Sequence, residues 1–304
     1  PVFCRFLTRG GDAYVERYGT EDQKKRYLIP AIRGEKRNAI CMTEPNAGTD
    51  ISMIQTSAVK KGNGYVINGT KQFTTGGHIA DYFWVFAITD KNAGRKKCSC
   101  FIVDRDTPGL TVSKPIKMMG RAGTFPTIEY FDNCFVPAEN LLGELGQGFE
   151  VFGSVYGSGR GVTGGMNIGA TEYLLERSRD YANTRIQFGK PIAERQFIQG
   201  MIAEMTIQLE AARWLTYDFA WEYDQGKDVR HKSSIVKVFT SDMVCQAADM
   251  ALQIHGGIGY TKELPIERFY RDVRLIKLAG GSSEILRWTI ARNILKKNVR
   301  IGID

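Results

Sequence analysis

The stretch NGYVINGTKQFTT, residues 63–75, decides how the first half of this chain is read. Its run Tyr65-Val66-Ile67 is aromatic and β-branched. Asn63-Gly64 and Asn68-Gly69 flank it, dipeptides that favour tight turns with positive φ. The same punctuation continues outward. Residues 82–88 (YFWVFAI) and 100–103 (CFIV) are short apolar runs, and Thr107-Pro108-Gly109 and Asp132-Asn133 break the sequence between them. Short strands at this spacing, from residue 38 to 137, predict a β-barrel-like or sandwich domain.

On either side the period changes. Residues 12–34 read as helix: Thr20 followed by Gln23 makes a capping box, and the apolar spacing runs on until Pro30 interrupts it. From about residue 149 the period is 3.6, with stripes over 166–183, 196–225, 232–254 and 283–296. Long helices with short connections predict an antiparallel four-helix bundle. The expected class is α+β in three parts: the end of an N-terminal helical domain at 1–37, a middle β domain at 38–148, and a C-terminal helical bundle at 149–304.

The 304 residues are 43% hydrophobic and 24% charged, a globular composition, and no apolar run approaches the length of a membrane span. The start, PVFCRFLTRGG, has no long apolar centre of a signal peptide and no initiator Met, which suggests a fragment. Six cysteines, at 4, 41, 98, 100, 134 and 245, form no CxxC pair and read as reduced, buried thiols. No metal site is expected. The net charge of +8 is scattered among acids without a nucleic-acid module, so an ordinary basic surface or a phosphate-rich ligand fits it better.

Gly159-Arg-Gly161-Val-Thr-Gly164 matches GxGxxG, yet helices rather than a βαβ unit follow it. A glycine-rich helix face packed closely on a flat partner is the alternative. Cys41-Met-Thr-Glu-Pro-Asn-Ala-Gly-Thr-Asp50, at the entrance to the β region, is a turn rich in N–H and hydroxyl donors and suits an anionic or carbonyl-bearing ligand.

With that turn the chain resembles the acyl-CoA dehydrogenase family. TEPNAGTD looks like the family's first signature. Gln253-Ile-His-Gly-Gly-Ile-Gly-Tyr260 with residues 268–274 (RFYRDVR) looks like its second, and Arg185-Ile-Gln-Phe-Gly189 with Gln196 matches a flavin-contacting turn. The resemblance implies an FAD-dependent oxidoreductase of acyl-CoA thioesters, with FAD bound between the β domain and the bundle. It implies an electron acceptor such as an electron-transfer flavoprotein, a homotetramer or homodimer, and a cytoplasmic or, in a eukaryote, mitochondrial location. Carried over by position, Met42, Thr43, Gly48 and Thr49 would line the flavin, and Phe73, Thr74 and Thr75 would cover one ring face. Arg185, Gln187, Phe188, Gln196, Gln253, Gly256 and Gly257 would meet the adenine and pyrophosphate part, and Ser282 and Glu284 the remainder.

One departure from the family's pattern stands out. A carboxylate base takes the substrate's α-proton in these enzymes. The usual position for it, in the loop Ala279–Glu284, is Gly280 here; the alternative position, directly before Arg160, is Gly159. Glycine at both seats leaves room for a bulky or alicyclic acyl group. Asp12, in the N-terminal helical part, is the alternative base, and His78 a second candidate. Arg160 would neighbour substrate and base, with Phe152, Tyr156 and Gly281 at the acyl group. Enoyl-CoA reduction, desulfination or oxygen activation are other uses of the same site. A flavin-binding relative without dehydrogenase activity, using its basic surface for protein or nucleic-acid partners, is the alternative.

Overall fold

The computed structural model describes residues 12–296, apart from the side chains of residues 156–158. Cys4 lies outside the described residues. The chain forms two compact units, Pro1–Val155 and Tyr156–Asp304.

The first unit opens with helix α1 (Asp12–Tyr18) and a helical run over residues 21–32, α2. The Thr20–Gln23 capping box forms: the Gln23 N–H donates to Thr20 Oγ1, and the Thr20 N–H donates to Gln23 Oε1. Pro30 does not end the run. Lys24–Leu28 is a π-turn in which the Ile29 N–H reaches Lys24 O, and the helix passes through Pro30 to Ile32. A proline lacks the N–H and crowds the carbonyl four residues back, and a widened turn just before it accommodates both. Gln23 Nε2 then donates to the carbonyls of Glu139 and Leu141, each at 2.8 Å, which fastens this run to the strand region.

Eight strands follow: β1 (Asn38–Cys41), β2 (Ser57–Lys61), β3 (Gly64–Thr74), β4 (Tyr82–Ile88), β5 (Cys98–Asp104), β6 (Leu110–Val112), β7 (Thr127–Pro137) and β8 (Leu141–Leu142). The pairing order is β6-β7-β3-β2-β4-β5-β8, with β1 off this path and parallel to β4. This corrects the barrel expectation. The sheet is mixed and does not close, because its end strands β6 and β8 do not pair with each other. They are three and two residues long, too short to carry a closing ladder. β4, the most apolar strand, is buried at every position. Tyr82, Trp84 and Phe86 face Tyr14, Val15 and Val151, while Phe83 and Val85 face Ile67, Phe101 and Phe131.

A second correction concerns Asn68-Gly69. Asn63-Gly64 does lie at the β2–β3 hairpin, where Lys61 pairs Gly64. Asn68-Gly69, however, is no turn: β3 runs through it, and its register with β7 shifts between Ile67 and Gly69. Gly69 sits at φ 147°, where a Cβ would stand 2.5 Å from Thr56 Oγ1. Close backbone approach at a bulge, not a chain reversal, is the use of this glycine.

The second unit is helical: α3 (Gly148–Thr184, entered from the first unit), α4 (Gln196–Asp224), α5 (Arg230–His255), α6 (Ile266–Arg274) and α7 (Ser283–Leu295). A two-stranded hairpin, β9 (Ile186–Gln187) and β10 (Lys190–Pro191), precedes α4. α5 packs against α4, α6 and α7. The GxGxxG glycines lie inside α3, and the last two serve packing: a Cβ on Gly161 would stand 1.8 Å from Phe219 Cε1, and one on Gly164 2.6 Å from Val236 Cγ1, whereas one on Gly159 would meet nothing within 4 Å. No described helix is long and apolar enough to cross a membrane.

Candidate functional site

In the first unit two loops bearing the proposed cofactor residues are tied together. The loop after β1 folds on itself, the Glu44 N–H donating to Ala47 O and the Ala47 N–H to Glu44 O, and Gly48 and Thr49 are exposed beyond it. The Gln72 N–H of β3 donates to Thr43 O at 2.8 Å. Phe73 follows, at φ 59° and half exposed, because β3 bulges between Gln72 and Thr74. Thr74 turns inward and is buried, whereas Thr75 is half-buried.

A buried ion pair supports this loop pair. Lys71 Nζ donates to Glu44 Oε1 at 2.8 Å and to Met42 O at 3.1 Å, and the Gln55 and Thr56 N–H groups donate to the same carboxylate. Burial pushes the Glu44 carboxyl up, but the Lys71 ammonium and these hydrogen bonds outweigh it and hold it below the ordinary range. Asp12, on α1, accepts from Asn38 Nδ2 at 2.7 Å, and Asn38 Nδ2 also lies 3.4 Å from Tyr82 Oη. Phe152 packs edge-on against Phe86, ring centres 5.4 Å apart. His78 is exposed, its ring 5.9 Å from that of Phe125.

In the second unit the candidate residues form two groups. The first is built where α3 ends. Tyr181 stacks on His255 with ring centres 4.5 Å apart, so the hairpin after α3 and the Gly256-Gly257 turn after α5 share one end of the unit. Arg195 Nη2 donates to Gln187 O at 2.9 Å and holds that hairpin, at whose tip Phe188 is 94% exposed. Arg185, Gln196 and Gln253 are exposed, and a Cβ on Gly256 or Gly257 would meet open space.

The second group surrounds the loop before α7. Gly280 and Gly281 adopt φ 71° and 93°, a left-handed backbone that favours glycine. Ser282 caps α7 by accepting from the Ile285 N–H, and Glu284 is exposed. Arg160 Nε donates to Gly280 O at 3.3 Å and its Nη1 to Ser234 Oγ at 3.5 Å. Lys237 Nζ donates to Gly281 O at 2.7 Å. Two cations thus meet the carbonyls of the two glycines in this loop. Burial, then the neighbouring Arg160 charge, lowers the Lys237 pKa to about 8, against the opposing pull of Asp242 and Glu284. The side chain of Tyr156 lies outside the described residues.

Lys237 and Ser234 escape a reading of motifs. A signal was present: both stand on the buried stripe of α5 with Thr240, Ser241 and Val244, where a lysine is costly without a fixed partner.

Comparison with known proteins gives one answer over both units. Residues 39–134 match the family described as "Acyl-CoA dehydrogenase, middle domain", and residues 146–295 match "Acyl-CoA dehydrogenase, C-terminal domain". The chain is 40% identical over 285 residues to acryloyl-CoA reductase (NADH) of Anaerotignum propionicum, covering 93% of this chain and 72% of that protein. It is 39% identical over 279 residues to cyclohexane-1-carbonyl-CoA dehydrogenase of Geobacter metallireducens, covering 92% and 73%. Among solved structures, the FAD complex of PigA superposes with a TM-score of 0.94 at 29% identity, covering 97% of this chain and 77% of that one.

Proposed function

The chain belongs to the acyl-CoA dehydrogenase family, and from that premise we propose that it acts on a bulky or alicyclic acyl-CoA, with Asp12 as the proton-transferring base. It is an FAD-dependent oxidoreductase of the CH–CH bond in acyl-CoA thioesters, working in the sense of α,β-dehydrogenation or enoyl-CoA reduction.

The donor set fits FAD. Phe73 offers a half-exposed ring on a bulge, with Met42, Thr43, Gly48, Thr49, Thr74 and Thr75 on the loops tied to it. Gly256 and Gly257 leave backbone open where a phosphate can approach, near a hairpin that presents Arg185, Gln187 and Phe188, with Gln196 and Gln253 exposed beside them. Ser282 and Glu284 complete the reading. FAD, when bound, supplies the hydride-exchanging ring.

The carrying observation is the bare loop. Glycine occupies both 159 and 280, the seats of the usual carboxylate, and Arg160 and Lys237 donate to the carbonyls of Gly280 and Gly281. Those cations suit the thioester end of the acyl group, beside Gly281, and offer no base. Phe152 and Tyr156 lie on the preceding turns of the same helix. Asp12 supplies the missing function: its carboxylate accepts the α-proton in the oxidative direction and returns it in the reductive one, and Asn38 Nδ2 orients it. Among the described residues no neighbouring side chain gives His78 such an orienting hydrogen bond, and it is set aside as base.

Electrons pass to or from an acceptor such as an electron-transfer flavoprotein. Phe197, Trp214, Tyr217 and Trp221 lie exposed along α4 and favour self-association as a homotetramer or homodimer. A cytoplasmic or mitochondrial-matrix location rests on family membership alone. Anaerobic mixing of the FAD-loaded protein with cyclic and straight-chain acyl-CoAs tests the reading. Cyclic substrates are expected to bleach the flavin, and Asp12→Asn to slow bleaching by about 10²–10⁴-fold. Unchanged bleaching by the variant removes Asp12 as base. No bleaching by any acyl-CoA favours the flavin-binding relative without dehydrogenase activity.

A further inference from the structure

One buried carboxyl has no part in the reading above. Glu129 lies on β7 with no exposed surface, between half-buried Ile128 and exposed Tyr130. Glu129 Oε2 accepts from Thr74 Oγ1 and, at 3.7 Å, from Cys41 Sγ; Glu129 Oε1 accepts from Thr127 Oγ1. Cys41 directly precedes Met42 and Thr43, and Thr74 stands between Phe73 and Thr75. The β-bulge that pushes Phe73 outward is the same irregularity that delivers Thr74 to the carboxyl. The following turn closes over it: a Cβ on Gly77 would stand 2.5 Å from Glu129 Oε1 and 2.0 Å from Thr127 Oγ1. A single side chain therefore grips, from beneath, both loops assigned to the flavin.

We propose that Glu129 is a positioning residue for the cofactor, its charge state setting how the Met42–Thr43 and Phe73–Thr75 segments are presented to the flavin. The inference rests on the assignment of those segments to FAD. Ionised, the carboxylate accepts from the two hydroxyls and the thiol. Protonated, one of its oxygens becomes a donor, so the hydroxyl it meets must rotate and give up donating. Thr127 has an alternative acceptor in Thr74 O, at 3.4 Å, which lets the grip on the Phe73–Thr75 segment change while the strands stay paired.

The surroundings put that exchange in an accessible range. Burial raises the Glu129 pKa to about 6, and the Thr127, Thr74 and Cys41 donors and the charge of Arg105 hold it from rising further. Arg105, beyond β5, is itself engaged with the carbonyls of Gly77 and Ala80. From β1, the Cys41 thiol is pushed well above its ordinary value, chiefly by burial, and stays protonated. Lys71, on β3, is committed to Glu44 and Met42 O. The sign follows: the folded state holds this proton more tightly than the unfolded chain. The stability Glu129 contributes is complete below the ordinary carboxylate pKa and is lost as pH rises through about 6.

The test uses FAD-loaded protein from pH 5 to 8, reading the visible circular dichroism of the flavin together with the melting temperature. The wild-type flavin band is expected to change with a midpoint near pH 6. Glu129→Gln is expected to keep FAD and hold the low-pH spectrum throughout, with its melting temperature rising relative to wild type above the midpoint. Thr74→Val, which keeps the carboxyl and removes the link, is expected to lose the spectral step while the stability step persists. A purely structural Glu129 would alter melting without moving the flavin signal. A pH step that survives Glu129→Gln, or a flat wild-type spectrum, overturns the proposal alone; protein that takes up no FAD overturns the cofactor assignment with it.

Discussion

The two units bury a lysine in opposite ways. In the sheet unit Lys71, fully buried, meets the carboxylate of Glu44, which in turn binds two backbone N–H groups. In the helical unit Lys237, equally buried, meets a backbone carbonyl of a glycine loop. The first arrangement is a closed structural pair that shapes the β1 loop. The second is more open: Lys237 donates to a backbone carbonyl, while Asp242 and Glu284 act on it through their charge. A buried cation left to a carbonyl marks where a carboxylate, or a ligand, is the natural complement.

This contrast can be broken by substitution. Lys71→Met strands Glu44 inside the sheet unit and should cost about 3–5 kcal/mol, read from denaturant unfolding. Gly280→Glu places a carboxylate in the loop that Arg160 and Lys237 meet. The left-handed backbone at φ 71° makes it cost about 1–2 kcal/mol in stability. It should nevertheless confer straight-chain dehydrogenation, measured by anaerobic flavin bleaching, and its absence in a flavin-loaded variant would count against the acyl-CoA geometry of this loop. Lys237→Met sharpens the comparison most. It removes a desolvated charge and leaves a half-buried carbonyl that water can reach, so stability should change by less than about 1 kcal/mol. A loss as large as that of Lys71→Met would show the two lysines to be equivalent.

The same contrast separates what could be read in the sequence from what could not. The Thr20–Gln23 cap, the apolar run at 82–88 and the helical stripes after residue 149 are local signals, and each gave an element at the expected place. Sheet closure is not local. It turns on the pairing of β6 and β8, whose three and two residues are too short for a pattern. Asn68-Gly69 misleads for a related reason: the dipeptide permits positive φ, and whether that makes a turn or a bulge depends on the approach of Thr56, just before β2. The glycines at 159 and 280 could be read directly, but Lys237, Ser234 and Glu129 became visible only once neighbouring elements were packed.

The bare backbone of Gly161 against the ring of Phe219 has one further consequence. Any side chain grown at 161 acts as a wedge between α3 and α4, and α4 carries Trp214, Tyr217 and Trp221 on its outer face. Damage at this inner position will therefore surface elsewhere, as a displaced outer face of α4, and can be mistaken for a defect in residues it never touches.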